Sequence, residues 1–324
     1  MSTVTVVVPA YNEGAAFEGS LATLADYLSI HRAGYDFHYL IVDDGSADET
    51  HAMAEKFARW RPNVRILQHE RNRGLGAALR TAFAAIDTDI AVVLDADLSY
   101  SPAVAMQLIE ALERDGADIA IASPYAPGGR VVNVPLGRRL LSQEANRVLS
   151  LATSGRYATL TCMVRAFRTP ALKQLEFRDD GMVAVAEMLL SGLRKKLRVV
   201  EVPATLEWSN DRRNSGRGIR PARVLAQGTS TFLLACRHRP SLWLAVPGLF
   251  PGLLPLVVAV LLMLRVSGGA LALGTSITIV VQYTSLALFS GQIAAFVGRK
   301  LKQKHQTHPN GVHRNGYDLP TRIA

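Results

Sequence analysis

Short apolar runs alternate with helix-period stretches over the first hundred residues, and no other feature restricts the fold of this chain as tightly. Runs at 4–8, 39–42, 64–68 and 90–94 read as strands, and the stretches at 15–32, 49–60 and 75–85 between them read as helices. Strands that are apolar along their whole length are buried on both faces, so the pattern predicts a mostly parallel α/β sheet covered by helices. Sheets of this kind bind ligands in the crevice at the C-terminal ends of their strands.

Four loops leave that edge with polar or glycine-rich signatures. They are Pro9-Ala10-Tyr11-Asn12-Glu13, Asp43-Asp44-Gly45-Ser46-Ala47-Asp48, Arg71-Asn72-Arg73-Gly74-Leu75-Gly76 and Asp95-Ala96-Asp97. The last places two carboxylates one residue apart at the end of a buried run, where hard oxygen ligands suit Mg²⁺ or Mn²⁺ bridging to a phosphate. In the first loop, proline ends the strand while Tyr11 offers an aromatic face and Glu13 an acceptor to a base. Asp43 and Asp44 are candidates to accept from base or ribose. Gly74 and Gly76 permit close backbone approach at a helix start, with Arg71 or Arg73 to answer phosphate charge. The loop is not a Walker loop, because no Gly-Lys-Ser/Thr follows, and a dinucleotide fingerprint would need its glycines where Pro9-Ala10-Tyr11 stands.

Further along, 119–122 reads as a strand, and the basic, Gly/Pro-rich stretch 124–139 reads as a mobile loop. A helix over 140–151 has basic and apolar faces suited to a membrane surface. Another helix over 181–193 and a strand at 199–202 follow, with Glu187 on the former left open between a sugar-facing and an ion-paired role. Cys162 reads as a buried spectator thiol.

With 324 residues, 49% of them hydrophobic, the chain can bury one sizeable core and keep residues for a second module. That surplus is concentrated near the C-terminus. No charged residue falls within 242–264 or, after Arg265, within 266–298. Each run can cross roughly 30 Å of hydrocarbon, so two transmembrane helices are expected. Arg237 and Arg239 precede the hairpin and Arg299, Lys300, Lys302 and Lys304 follow it, which places both ends in the cytosol. The expected organisation is a cytosolic domain over 1–221, an amphipathic juxtamembrane segment over 222–240 with Leu225, Phe232 and Leu233 as its apolar side, the hairpin over 241–298, and a basic, disordered tail over 299–324. No signal-peptide pattern opens the chain, and two cysteines suit a reducing compartment. The net charge of +9 clusters near the membrane runs, which fits an anionic bilayer face and phosphate ligands rather than nucleic acid.

Taken together, the four loops and the C-terminal hairpin resemble the inverting family-two glycosyltransferases, within them the polyprenyl-phosphate subgroup typified by dolichyl-phosphate mannose synthases. The resemblance implies a GT-A nucleotide-sugar-binding domain over roughly 3–220, taking a UDP- or GDP-sugar as donor and a polyprenyl phosphate as acceptor at the cytoplasmic face of the inner membrane. It implies Mg²⁺ or Mn²⁺ held by Asp97, with Asp95 as ligand or support, Ala96 beside the nucleotide and Ser99 standing where relatives commonly place a glutamine. Cationic steering of the lipid phosphate falls to Arg130, Arg138, Arg139, Arg165, Arg212, Arg213 and Arg217, with Arg130 and Arg212 counted among the catalytic residues. A homo-oligomer is left open. Ala122-Ser123-Pro124-Tyr125 departs from the Gly-Ser-Arg-Tyr of relatives, Thr159–Arg165 lacks the family's acid and glycine, and Arg212–Arg217 modifies an Arg-x-x-Gly-x-Ser-Lys pattern. Two alternatives are a catalytically silent partner of a lipid-sugar flippase and a polysaccharide synthase. The latter would carry a Gln-x-x-Arg-Trp signature that this chain lacks.

Overall fold

The sheet is built outward from β1 (Ser2–Ala10), whose Val4, Val6, Val7 and Val8 are all buried, as a strand covered on both faces requires. The computed structural model describes residues 1–31, 34–208 and 221–239. Parallel to β1 on one side lies β2 (Tyr35–Asp43), then β3 (Val64–Gln68); on the other lies β4 (Ile90–Val93). Parallel neighbours need crossovers, supplied by α1 (Phe17–His31), α2 (Thr50–Ala58) and α3 (Leu75–Ala84). The apolar side chains Phe17, Leu21, Leu24 and Leu28, spaced by three and four, turn one face of α1 into the core. The expected mostly parallel α/β architecture is what the chain adopts.

Beyond β4 the sheet continues through β7 (Arg165–Arg168), β5 (Ile119–Ser123) and β8 (Val199–Pro203), giving the order β3-β2-β1-β4-β7-β5-β8. Only β7 runs antiparallel, to both β4 and β5. The sequence offered no strand signal there, because β7 is four residues long and begins and ends with arginine. The guanidinium of Arg168 donates to Ala117 O and Leu112 O, so side-chain hydrogen bonds hold a charged residue at the strand's end.

A correction applies to 124–139. That stretch contains β6 (Arg130–Val132), and α5 (Leu136–Ala152) begins inside it. β6 pairs in parallel with β9 (Thr205–Glu207) as a separate small sheet, a long-range pairing that Gly/Pro content cannot reveal. α4 (Ala103–Arg114), α6 (Thr169–Leu172) and α7 (Val183–Arg194) complete the domain, and α8 (Pro221–His238) packs against α5 and α7. On α8 the buried side chains include Leu234, Ala235 and Cys236, whereas Leu233, expected on the apolar side, is exposed. Among the described residues no helix is long and apolar enough to cross a membrane. The hairpin expected over 241–298, the tail over 299–324 and Arg212, Arg213 and Arg217 lie outside the described residues.

Candidate functional site

β3, β2, β1 and β4 are neighbours and parallel, so the four loops named from the sequence leave the same edge of the sheet. Ala10 pairs with Asp43 and Asp43 with Gln68, while Val7 pairs with Val93, two residues before Asp95.

The first three loops are bonded into one body. Asn12 N donates to Ser46 Oγ at 3.0 Å and Ala47 N to Asn12 Oδ1 at 2.9 Å. Thr50 Oγ1 accepts from Glu13 N and Gly14 N and itself donates to Asp48. Tyr11 stands exposed beside this seam, and Glu13 is exposed too.

Asp43 and Asp44 were expected to face a nucleotide, and the structure corrects that expectation. Asp43 is fully buried: Oδ1 accepts from Ser46 N, Oδ2 accepts from Gln68 Nε2 at 3.1 Å, and His51 Nδ1 lies 3.2 Å from Oδ2. Asp44 is nearly as buried. Its Oδ1 accepts from His69 Nδ1 at 2.7 Å and Arg73 N at 2.9 Å, and its Oδ2 from Asn72 Nδ2 at 3.0 Å and Gly74 N at 2.7 Å. Four donors on one carboxylate organise the third loop, and His69 is held in turn by Thr81 Oγ1. Consecutive residues at a strand end point to opposite faces, which sends one carboxylate toward α2 and the other toward α3.

Gly74 and Gly76 are also explained by packing rather than by a phosphate. A Cβ on Gly74 would lie 2.3 Å from Asp180 O, and one on Gly76 2.1 Å from Asp179 O. Gly76 N, at the start of α3, donates to Asp180 O at 2.7 Å, so the backbone donor expected to receive an anion is already bonded. Glu187 Oε2 accepts from Arg178 N and Asp179 N, which settles its open role as a clamp on this segment. Arg71 and Arg73 are exposed on the rim.

The fourth loop is different. Asp95 and Asp97 are partly exposed, Ala96 between them is buried, and Leu98 adopts φ 52°, a left-handed conformation that turns the chain sharply after the acids. Asp97 Oδ1 accepts from Ser99 N at 3.0 Å and from Ser99 Oγ at 2.6 Å. Ser99, expected as a metal ligand, thus orients Asp97 with its hydroxyl proton. Two hard carboxylates at the rim fit a divalent cation. Among the described residues no group of three or more His, Cys, Asp and Glu side chains is arranged to hold a metal, so a cation there would take its other ligands from a diphosphate and water.

This loop borders a cleft of about 440 Å³. Asp97 and Ser99 form one wall; Asn133, Thr205, Glu207 and Trp208, none of which the sequence singled out as site residues, form much of the rest. The signal was hidden because β6 and β9 are three residues each and meet only in the folded chain.

The expected acceptor arginines divide. Arg130 is exposed on β6 opposite Thr205, Arg138 places its guanidinium 5.2 Å from the Trp208 ring centroid, and Arg139 is exposed on α5. Arg165 is a correction. It is 1% exposed, and its guanidinium donates to Val185 O at 2.7 Å and Leu160 O at 2.8 Å, bracing α7 against the segment before β7. Burial pulls its pKa down to about 10. The neighbouring Cys162 is buried as expected; burial pushes its thiol up to about 11, and Sγ donates to Tyr100 Oη. Asn146 replaces the missing family acid as organiser of this segment, its Oδ1 accepting from Leu160 N and Thr161 N.

Residues 5–175 match the model of glycosyl transferase family 2. The chain is 33% identical over 205 residues to a dolichol-phosphate mannosyltransferase of Pyrococcus furiosus, a match covering 62% of this chain and 56% of that protein. It is 32% identical over 207 residues to a polyprenol monophosphomannose synthase of Mycolicibacterium smegmatis, covering 62% of this chain and 76% of that one. Its fold resembles glucosyl-3-phosphoglycerate synthase of Mycobacterium tuberculosis, solved with Mn²⁺, UDP and phosphoglyceric acid, at a TM-score of 0.56 and 19% identity over 73% of this chain and 78% of that one. With this match and the α/β sheet carrying its acid pair at the rim, the chain belongs to glycosyl transferase family 2.

Proposed function

We propose that this protein transfers a sugar, with inversion, from a nucleoside diphosphate sugar to a polyprenyl phosphate at the cytoplasmic face of the membrane. The observation that carries the reading is the half-exposed Asp95/Asp97 pair at the end of β4, bordering a cleft beside three interlocked rim loops. The names of the relatives put lipid phosphates foremost among acceptors and mannose among sugars, while GDP and UDP both remain donors to be tested.

In this reading Asp97, oriented by Ser99, and Asp95 hold Mg²⁺ or Mn²⁺ together with the donor diphosphate. The cation stabilises the charge that grows on the leaving group as the anomeric bond breaks. Tyr11 and Glu13, on the outer seam of the first loop, receive the base; Asp43 and Asp44 keep that seam rigid from beneath. The attacking lipid phosphate is already anionic near neutral pH, so the reaction needs no strong general base. It does need cations to gather and aim that phosphate, a role assigned to Arg130, Arg138 and Arg139 and, outside the described residues, to Arg212, Arg213 and Arg217.

A membrane setting is supported by α5. Leu136, Leu140 and Leu151 fall on one exposed helical face, where an aqueous surface would not favour three leucines. The domain boundaries at 221 and 240, the hairpin over 241–298 and the cytosolic placement of the catalytic domain belong to this proposal. Incubating membranes that contain the protein with radiolabelled GDP-mannose, UDP-glucose and related donors tests it. One label should become lipid-extractable in a metal-dependent way; label released only as free sugar, or none transferred, refutes the reading.

A further inference from the structure

We infer that the cleft between the post-β4 loop and β9 is the subsite for the transferred sugar, read by Glu207, Asn133 and Trp208. The inference deepens the proposed function and rests on it.

Backbone bonds fix the juxtaposition. Glu207 N donates to Ser99 O at 2.9 Å, Trp208 N donates to Val132 O at 3.2 Å, and Tyr100 forms an antiparallel bridge with Leu206. β9 is therefore bonded to both the acid loop and β6, which holds Glu207 and Trp208 at the same opening as Asp97. The cleft of about 440 Å³ falls in the range of roughly 300–1,000 Å³ typical of small-molecule sites.

Charge decides the class of occupant. The described side chains lining the cleft include two carboxylates, Asp97 and Glu207, and no lysine or arginine. An anionic phosphate without its cation is repelled there, whereas the hydroxyls of a neutral sugar find acceptors. Glu207 accepts only, Asn133 both donates and accepts, and their side chains stand 3.5 Å apart as one polar rim. Asn133 adopts φ 58°, a left-handed conformation that asparagine tolerates better than most residues. The Trp208 indole supplies the flat apolar surface on which the C–H face of a pyranose packs, and the Arg138 guanidinium over its ring holds it in place. Neither Glu207 nor Trp208 belongs to the rim motifs, so they are positioned to choose the sugar without altering the nucleotide's hold.

The test is calorimetric binding with the full-length protein in nanodiscs containing Mn²⁺. Kd is measured for GDP and UDP, and separately for GDP-mannose and UDP-glucose, in wild type, Glu207→Ala, Glu207→Gln and Trp208→Ala. The bare diphosphates should bind each variant within twofold of wild type. The preferred sugar nucleotide should bind Glu207→Ala and Trp208→Ala at least tenfold more weakly, and Glu207→Gln, whose amide still accepts, should keep most of the affinity. Equal losses for diphosphate and sugar nucleotide, or no loss for either, overturn the subsite while leaving the donor site standing. Wild type that binds neither a diphosphate nor its sugar overturns the donor reading itself, and the subsite with it.

Discussion

Two acid pairs end neighbouring regions of this sheet and have opposite fates. Asp43-Asp44 after β2 is buried and bonded to protein donors, whereas Asp95-Ala96-Asp97 after β4 stays half-exposed beside a cleft. The difference is one intervening residue. Adjacent residues diverge to opposite faces, so each acid of the first pair meets a different helix and is enclosed, while alternate residues share a face and leave both acids of the second on one side. An acid at a strand end is therefore a poor guide to chemistry until its spacing is considered.

The comparison can be broken first at Asp97. Its replacement by alanine should lower metal-dependent transfer by about a thousandfold while the urea midpoint stays at the wild-type value. Transfer within tenfold of wild type would remove the acid pair from the chemistry. The reverse pattern is expected at Asp44. Asp44→Ala strands His69 Nδ1, Asn72 and two backbone N–H groups, so urea unfolding should report a loss of about 3 kcal/mol. Unchanged stability together with weakened nucleotide binding would return Asp44 to the site. The smallest effect sharpens the contrast at Gly76. A methyl group there meets Asp179 O, so Gly76→Ala should cost about 2 kcal/mol by the same measurement, and a neutral outcome would mean the 178–181 segment yields freely.

Much of the first hundred residues was legible because each strand is a local apolar run and each helix a local period. The boundaries of α3 and β3 agree with the sequence to within a residue. β7 was not legible, since Arg165 and Arg168 obscure its pattern and its partners β4 and β5 lie far away in sequence. Glycine was read correctly as a mark of close approach at 74 and 76, but the approaching group is the backbone of Asp179 and Asp180 and not a ligand. Arg165 shows the same limit: its residue type suggests phosphate, and only burial against two carbonyls identifies it as a brace.

What the sequence alone determined is the order of strands and helices up to β4, the edge where their loops gather, and the spacing of Asp95 and Asp97, because all three follow from short-range periodicity and local stereochemistry. What only the tertiary structure decided is which polar groups are consumed by the protein and which line the cleft. That division depends on residues such as Asp180, His69 and Glu207 arriving from distant parts of the chain, and no local pattern encodes an encounter of that kind.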